Sequence, residues 1–412
     1  MNKDKYNLIV IGSGAAGLIA SIVAAKDGKK VLLLEKLPKI ASKLKATGGG
    51  RCNITNTLPS QEFMEKFGRD GRFMQDALKA LSSKALLKFL EDIGVSTHAP
   101  DGFRVFPTSH SSSTIISAFE GKLSDIGVRV ICKQRVQEIL IDDKEIIGVS
   151  TQNNTFFTQN IIVATGGLGY PALGAEGDGY KLSQQLGHSI TQLSPAMMPL
   201  KTKELWVQNC RADTIPKVEL RVNLKKHKKL KAKGDLIFTK NGVRGPVILD
   251  FAREITPLLK NYDEVPLLLN MTKGMNEDQI SKHLKDKALK NPNSTILELV
   301  TTLLPQALSK EICNLCYINT NLTYKKLEGE KKAKLISTLS STPLTITGHD
   351  GFKMAMITRG GISLKEVDPK TMQSKIIKGL YFCGEVLNID GPCGGYNLQW
   401  SFSSGFLAGK LL

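Results

Sequence analysis

The sequence lacks any apolar run near the ~18 residues that a membrane-spanning helix requires. It also lacks the charged and then apolar start of a secretory signal, because MNKDKYNLIVIG leads directly into a strand-like segment. Its seven cysteines are an odd number, and their spacing fits no disulfide framework. These absences predict a soluble, cytoplasmic protein of two or three globular domains with no membrane partner.

Acidic residues are in the minority, with 38 Asp and Glu against 56 Lys and Arg and a formal net charge of +18. A basic surface attracts phosphate chains, so a nucleic acid is one candidate partner. The lysines are nevertheless spread along the chain, and the only dense run, KKHKKLKAK from Lys225 to Lys233, lies between two strand-like segments. We favour a solvated hairpin loop for this run, and the nucleic-acid interpretation stays open.

The N-terminal segment NLIVIGSGAAGLIASIVAAKDGKKVLLLEK has the pattern of a strand, a glycine turn, a helix and a second strand. Gly12 permits the tight turn, Gly14 admits a pyrophosphate, and Gly17 allows close helix packing. Glu35 follows the second strand, where a carboxylate accepts ribose hydroxyls. The segment therefore predicts a dinucleotide site, without deciding between NAD and FAD.

Three later glycine-rich segments predict a return of the chain to this site. SKLKATGGGRCNITN, from Ser42 to Asn56, suits a loop that passes close to a flat ring or a phosphate. NIIVATGGLGYPALGAEGDGY places Thr165 and the glycines after it at the carboxyl end of a strand. The stretch before it, from Gly127 to Asn160, alternates like an antiparallel meander.

The last of these segments, GLYFCGEVLNIDGPCGGYNLQWSFSSG, ends a short buried strand and then begins a helix. A helix N-terminus stabilises the negative charge that a reduced flavin develops, by ~0.3–1 kcal/mol. A nicotinamide dehydrogenase with one Rossmann unit does not need a C-terminal segment that comes back to the cofactor site, so the sequence favours FAD.

Taken together, these motifs and GDLIFTKNGVRGPVILD resemble the BaiN-type flavoproteins, relatives of the glutathione-reductase and fumarate-reductase flavoprotein fold, from Asn7 to Leu412. The resemblance implies an α/β fold: a discontinuous Rossmann-like FAD domain (GxGxxG) with an inserted β-rich domain and an inserted helical domain. The implied boundaries are 1–193 and 348–412 for the FAD domain, 194–268 and 340–347 for the β-rich domain, and 269–339 for the helical domain. The segment from Ser194 to about Pro266, including GVRGPVILDF, has a strand-like pattern.

The resemblance also implies the cofactor contacts, with Val136 reaching adenine through its backbone. The implied FAD-binding residues are Gly12, Gly14, Ala15, Gly17, Glu35, Lys36, Ser42, Lys43, Thr47, Gly48, Gly50, Arg51, Cys52, Asn53, Val136, Thr165, Gly166, Gly384, Glu385, Asp390, Gly395, Tyr396 and Asn397. One departure is VFPTSHSSS, Val105 to Ser113, which lacks the lysine of relatives that read VFP.S.KA and leaves a substrate contact there in doubt.

Redox cysteines and metal ligands are missing from the expected places. Thr57 stands where a CxxxxC disulfide partner of Cys52 would be needed, so we expect Cys52 to be a packed residue, with a redox role left open. The pair Cys313 and Cys316 has CxxC spacing but no second pair, which favours core cysteines over a metal site.

No second GxGxxG motif is present, so either NAD(P)H acts as a transient co-substrate beside FAD or the electrons arrive by another route. The candidate catalytic residues are Tyr396 and His349, as proton donors, and Arg359, which would polarise a carbonyl or hold a carboxylate. His110 is a further candidate acid, and a structural role in capping or loop packing stays open for each of these residues. The sequence thus predicts an FAD-dependent oxidoreductase that moves hydride from NAD(P)H to a small enone-like substrate. Two alternatives stay open: a basic FAD protein acting on RNA, as tRNA-modifying enzymes do, and a flavin redox sensor.

Overall fold

The computed structural model describes residues 5–412, which form the following helices and strands. The strands are β1 Leu8–Ile11, β2 Val31–Leu34, β3 Thr55–Asn56, β4 Thr97–His98, β5 Arg104–Pro107, β6 Arg129–Ile131, β7 Val136–Asp142, β8 Glu145–Thr151, β9 Thr155–Phe157, β10 Ile161–Val163, β11 Ser194–Ala196, β12 Leu200–Thr202, β13 Thr214–Val222, β14 Lys231–Thr239, β15 Gly242–Arg244, β16 Val265–Asn270, β17 Thr342–His349, β18 Ile357–Arg359 and β19 Leu380–Phe382. The helices are α1 Ala15–Lys26, α2 Ser42–Ala46, α3 Ser60–Glu65, α4 Gln75–Ala80, α5 Ser83–Asp92, α6 Ser112–Asp125, α7 Asp178–Gln185, α8 Pro246–Leu258, α9 Glu277–Lys290, α10 Ile296–Thr301, α11 Gln306–Leu315, α12 Gly329–Ser340 and α13 Tyr396–Gly409.

Residues up to Pro195 and Ala355–Leu412 form the first of two compact units. Its centre is a parallel sheet of order β19-β10-β1-β2-β6. Strands β1 and β2 are buried along their whole length, as their uninterrupted apolar sequences LIVI and VLLL require in a sheet covered on both faces. The predicted strand-helix-strand unit and the predicted strands β10 and β19 are confirmed.

Helix α13 packs on α1 with almost no space between the two backbones. A Cβ atom built on Gly405 would lie 2.3 Å from the carbonyl oxygen of Ala16, and one on Gly409 would lie 2.6 Å from that of Ala20. Only glycine fits at such distances. The predicted C-terminal helix is confirmed, and its glycines explain how it lies directly against the first helix of the chain.

Two smaller antiparallel sheets, β7-β8-β9 and β3-β5-β4, complete the strand pairing around this core. The predicted meander is confirmed for β7 to β9 but is wrong for its first strand. Residues Arg129–Ile131 form β6, which pairs in parallel with β2 at the edge of the main sheet. A short apolar strand has the same local pattern in a parallel and in an antiparallel sheet, so its sequence does not show which strand it pairs with.

The second unit, Ala196–Met354, contains a closed barrel of order β12-β15-β14-β13-β16-β17, and helices α9 to α12 follow β16 in the chain. The capping box of Asn276 and Gln279 begins α9 where a helix was predicted. Residues 223–230 join the antiparallel strands β13 and β14, so the predicted hairpin loop is confirmed up to Leu230, whereas Lys231 to Lys233 belong to β14. The finer predicted domain boundaries remain a prediction.

The strand-like interpretation of GVRGPVILDF is wrong beyond Arg244, because Pro246–Leu258 forms helix α8. Gly245 has a φ of 106°, and Pro246 occupies the first helical turn, where its missing N–H costs nothing. The buried residues Val247, Phe251 and Ile255 then recur every four positions, which places them on one helical face. None of the helices formed by residues 5–412 combines the length and apolarity needed to cross a bilayer.

Candidate cofactor site

The glycine turn after β1 leaves an open space at the N-terminus of α1. Gly12 has a φ of 100°, and a Cβ there would lie 2.7 Å from the Ala164 carbonyl oxygen. A Cβ on Gly17 would lie only 1.9 Å from the carbonyl oxygen of Gly12, whereas one on Gly14 would meet nothing within 4 Å. Gly12 and Gly17 thus keep the turn tight, and Gly14 leaves room for a phosphate in front of the helix.

Glu35 follows β2, and its carboxylate is held above this turn. It accepts hydrogen bonds from the N–H of Ser13 at 3.0 Å and from the N–H of Leu37 at 2.8 Å, and it also accepts from the Ser13 hydroxyl. The carboxylate is therefore fixed beside the helix N-terminus, as a ribose acceptor needs to be.

Lys36 lies in a network of four charged side chains at the same edge of the sheet. Its ammonium group is 2.7 Å from Asp178 and 3.0 Å from Glu176, and Arg135 bonds to both carboxylates. Burial alone would raise the pKa of Asp178, but the hydrogen bonds from Lys36 and Arg135 outweigh it and hold that pKa below its ordinary value. Val136, buried at the start of β7, directly follows Arg135.

The loop after α2 contains three glycines in the left-handed region, Gly48 (φ 62°), Gly49 (φ 67°) and Gly50 (φ 90°). This turn leaves Arg51 exposed and buries Cys52. In the side-chain orientation that gives both the amide nitrogen and the amide oxygen a hydrogen bond, Asn53 donates to the Thr55 carbonyl and accepts from the Gly395 N–H, each at 3.1 Å. The loop is therefore bonded to the residue that precedes α13.

Cys52 has no exposed surface, and burial raises the pKa of its thiol to about 12. Its N–H donates to the Thr47 carbonyl at 2.9 Å, which closes the glycine turn. The predicted packed cysteine agrees with this burial, and a thiol that is protonated at neutral pH is a poor nucleophile.

The end of β10 provides a buried hydroxyl without a partner. Thr165 Oγ1 makes no hydrogen bond, although it is inaccessible to solvent. The next two residues are Gly166, with a φ of 70°, and Gly167, on which a Cβ would lie 2.4 Å from Thr358 Oγ1 and 2.8 Å from Glu385 Oε1. A buried polar atom without a partner fits a site whose ligand supplies the missing bond.

Lys43 and Glu385 form an ion pair across this edge, with Lys43 Nζ 2.6 Å from Glu385 Oε2. The other Glu385 oxygen accepts the Thr358 N–H at 2.9 Å, and the Thr358 hydroxyl accepts the Leu168 N–H at 2.7 Å. Four separate segments of the chain are thereby connected at the carboxyl ends of β2, β10 and β19.

The residues from Gly384 to Asn397 are held by their own hydrogen bonds. Gly384 has a φ of 77°, and its N–H donates to the Ser404 hydroxyl at 2.9 Å. Asn397 accepts the Gly391 N–H at 2.8 Å and donates to the Gly391 carbonyl at 2.9 Å. Gly395, with a φ of 83°, precedes α13, so the N-terminus of that helix meets the loop that contains Asn53.

The three candidate catalytic residues have different surroundings. The Tyr396 ring is buried against Phe63, with centroids 4.9 Å apart, and Arg359 Nε lies 3.5 Å from Asp390 Oδ1. His349 lies in the second unit, where it accepts the Gly351 N–H at 3.0 Å, and burial lowers its pKa. Their catalytic roles stay predictions, as do the individual cofactor contacts.

Four residues that position this site were not predicted from the sequence. Ser13 lies inside the GSGAAG motif and contacts Glu35, so the motif itself contained the signal. Thr358, Arg135 and Asp178 contact their partners across long sequence separations, and no local pattern indicates those contacts.

These residues fit FAD. An open phosphate cradle, a carboxylate at the end of β2 and an unpartnered buried hydroxyl at the end of β10 lie along one edge of the parallel sheet. Gly12, Gly14 and Glu35 would hold the ADP half, and the loop of residues 47–53 with Gly395 would flank the ring. When bound, FAD supplies two-electron hydride chemistry at its N5 position.

Metal ligands do not assemble in the described part of the chain, where no group of three or more His, Cys, Asp or Glu side chains could hold an ion. Cys313 and Cys316 are 0% and 1% exposed, in agreement with the predicted core cysteines. Burial is the main cause of the raised pKa of each thiol.

Comparison with known proteins gives matches over nearly the whole chain. The family described as "HI0933-like protein Rossmann domain" matches residues 6–411. A 3-dehydro-bile acid delta(4,6)-reductase of Clostridium scindens is 30% identical over 404 residues, which cover 97% of both chains. A ribosomal RNA dihydrouridine synthase of Escherichia coli is 26% identical over 404 residues, covering 97% of this chain and 96% of the relative.

Among solved structures, a 3-ketosteroid delta1-dehydrogenase from Sterolibacterium denitrificans has a TM-score of 0.55 at 11% identity and covers 99% of both chains. A 3-ketosteroid-delta4-(5alpha)-dehydrogenase from Rhodococcus jostii has a TM-score of 0.54 at 15% identity, covering 100% of this chain and 98% of that one. At such identities the likeness shows a shared fold.

Proposed function

Because this chain belongs to the HI0933-like Rossmann family of flavoprotein oxidoreductases, we propose that it reduces a carbon–carbon double bond conjugated with a carbonyl group. The electrons would come from NADH or NADPH and pass through FAD. The names of the two relatives support this chemistry, since a delta(4,6)-reductase of a 3-dehydro-bile acid and a dihydrouridine synthase both saturate ring double bonds of this kind.

The observation on which the proposal rests is the absence of a redox disulfide beside the candidate flavin loop. Thr57 occupies the position of a second cysteine, and Cys52 is a buried thiol with a pKa of about 12. Neither a disulfide nor a reactive thiolate is available there to relay electrons. A substrate would therefore exchange hydride with the flavin directly.

Arg359 is the proposed residue for the substrate carbonyl. Its side chain is 35% exposed, and its guanidinium is anchored to Asp390 at 3.5 Å, so it is both accessible and positioned. A cation that withdraws electrons from the carbonyl favours hydride addition at the far end of the conjugated system. Tyr396 is the proposed source of the proton that completes the reduction.

Anaerobic stopped-flow absorbance tests the first half of the reaction. The FAD-loaded protein is mixed with NADH and, separately, with NADPH, and the flavin band is followed. Rapid bleaching by one nucleotide is expected. If neither nucleotide bleaches the flavin, the proposed electron donor is wrong. The reduced protein is then mixed with cyclic enones, whose reduction should restore the flavin band.

A second candidate, the reduction of a pyrimidine in RNA, is favoured by the net charge of +18. Uracil contains a ring double bond conjugated with a carbonyl, so the same chemistry applies to both substrates. Excess positive charge is expected of a protein that binds a phosphate backbone. Reoxidation of the reduced flavin by RNA, but not by small enones, would select this candidate over the first.

A further inference from the structure

The positive charge of the protein is concentrated in the second unit. Ala196–Met354 contains 27 Lys and Arg against 16 Asp and Glu, a net charge of +11, whereas the rest of the chain has 29 against 22, a net charge of +7. The second unit therefore has the larger excess in the shorter stretch of chain.

Within this unit the excess is greatest at the β13–β14 hairpin. Residues 217–233 include eight basic side chains and one acidic side chain, Glu219, which pairs with Lys233 at 2.6 Å. Lys225, Lys226, Lys228 and Lys229 are exposed, and none of them forms an ion pair with any described residue. We call these four side chains the hairpin lysines.

The hairpin lysines project from a loop with its own internal structure. The N–H of His227 donates to the Leu224 carbonyl at 2.9 Å, and the N–H of Leu230 donates to the His227 carbonyl at 3.0 Å. The His227 ring packs edge-on against Tyr262, with centroids 5.9 Å apart. The loop is thus anchored at its centre while the lysines on both sides of His227 point into solvent.

The strands below the loop also keep like charges together. Arg221 and Lys231 are directly paired across β13 and β14, and both side chains are exposed. Like charges at opposed positions of a sheet destabilise it. A polyanion bound to this face would remove that repulsion.

We propose that the β13–β14 hairpin binds the phosphate backbone of RNA. The inference rests on the second candidate function, since uracil is a base of RNA. The positive charge of the hairpin suits a phosphate chain. A protein surface that binds a membrane would also need apolar side chains that insert into the lipid. None of the exposed large apolar side chains of the described residues lies between positions 217 and 233.

The test compares two quadruple variants of the FAD-loaded full chain. In the first, the hairpin lysines are replaced by Gln (K225Q, K226Q, K228Q and K229Q). In the matched control, four exposed lysines of α9 in the same unit are replaced in the same way (K282Q, K285Q, K287Q and K290Q). Both variants lose the same charge, so any difference in their RNA affinity comes from where the replaced lysines lie.

Binding is measured by fluorescence anisotropy with a labelled oligouridylate over a range of salt concentrations. The hairpin variant should lose about tenfold or more in affinity near 0.1 M salt, and its salt slope should fall by about 3, as the loss of four phosphate contacts requires. The α9 variant should stay within about twofold of the unsubstituted protein. Flavin content and flavin reduction by nicotinamide nucleotide should be unchanged in both variants.

Three results would overturn the inference: no RNA binding by the unsubstituted protein, equal losses in the two variants, or tighter binding to anionic lipid vesicles than to RNA. Each can occur while nicotinamide nucleotide still bleaches the flavin. A failure of the hairpin inference is therefore distinguishable from a failure of the proposed reduction chemistry.

Discussion

The ammonium nitrogen of Lys43 lies 2.6 Å from Oε2 of Glu385, although 342 residues separate them in the chain. The two side chains are 28% and 16% exposed, so water screens the pair only in part. The carboxylate is bonded at its other oxygen to the Thr358 N–H. This ion pair therefore connects helix α2 to the C-terminal segment more firmly than an exposed pair would.

Replacing Lys43 with Met should destabilise the first unit, because the largely buried Glu385 carboxylate would lose its cation. We expect a loss of about 1–3 kcal/mol in urea unfolding, together with weaker FAD retention. Lys45→Met is the matched control, since Lys45 is an exposed lysine of the same short helix and its ammonium forms no ion pair with a described residue. Equal losses in both variants would contradict the role of the pair.

Glu35→Ala should weaken FAD binding while leaving the protein folded. The change removes the proposed ribose acceptor and the acceptor of the Ser13 and Leu37 N–H groups. The dissociation constant, measured by recovery of flavin fluorescence, should rise by about ten- to a hundredfold. The exposed Glu62 of α3 provides the control, and unchanged affinity in Glu35→Ala would show that the assignment is wrong.

Gly395→Ala should be far more damaging than Gly28→Ala. Both glycines have positive φ values, 83° and 76°, but a Cβ on Gly395 would lie 2.4 Å from the Thr55 carbonyl oxygen, whereas one on Gly28 would meet nothing within 4 Å. We expect a loss of about 1–2 kcal/mol from backbone strain at Gly28 and about 2–5 kcal/mol at Gly395, where overpacking is added. Thermal unfolding of the two variants measures the difference, and similar losses would argue against close contact at Gly395.

Cys52 should resist thiol reagents in the native protein. With a pKa of about 12, only about one thiol in ten thousand is ionised at pH 8, and the side chain is fully buried. Peptide mapping after maleimide treatment should show labelling at the half-buried Cys132 and Cys393 first. Cys52→Ala should retain its rate of flavin reduction within about threefold, and a larger loss would indicate a redox role.

The charge network around Lys36 predicts that part of the free energy of unfolding depends on pH. Hydrogen bonding from Lys36 is the main cause of the lowered pKa of Glu176, and the pKa of Asp178 is lowered by Lys36 and Arg135 against the effect of burial. A carboxyl whose pKa is lowered by folding stabilises the protein above its unfolded-state pKa, and the stabilisation is lost as the pH falls through the folded-state value.

Lys36→Met should therefore lower the unfolding temperature at pH 7, and its difference from the unsubstituted protein should shrink as the pH falls through the lowered pKa values of Asp178 and Glu176, because protonated carboxyls no longer need the Lys36 charge. Lys39→Met, at an exposed lysine three residues away that forms no ion pair with a described residue, should have little effect at any pH. A difference between Lys36→Met and the unsubstituted protein that stays constant from pH 7 to pH 3 would contradict the network.

The sequence was sufficient to predict elements whose local pattern is unambiguous. Strand β1, helix α1 and strand β2 combine buried apolar runs with a glycine turn, and α13 has helical apolar spacing. Helix α8 was misread because GVRGPVILDF lies next to a true strand and contains few polar residues to mark the period. Gly245 and Pro246, a helix-starting pair, were the signal that was overlooked.

At the candidate site, the sequence predicted several individual residues but not which of them contact one another. Lys43 and Glu385 were each expected near the cofactor, and Lys36 was expected to contact it, yet nothing in their local sequences shows that one pairs with the other or that Asp178 meets Lys36. Such pairings are set by which strands lie side by side in the sheet, and that order is a tertiary property.

The packing of α13 against α1 has a consequence for how the protein is made. The glycines of α13 lie against Ala16 and Ala20, so the first helix has no cover on that side until residues 396–409 have been synthesised. At ~5–20 residues per second, the ribosome needs roughly 20–70 s to translate the intervening chain. During that time the apolar surface of α1 lacks the cover that α13 gives it in the folded protein.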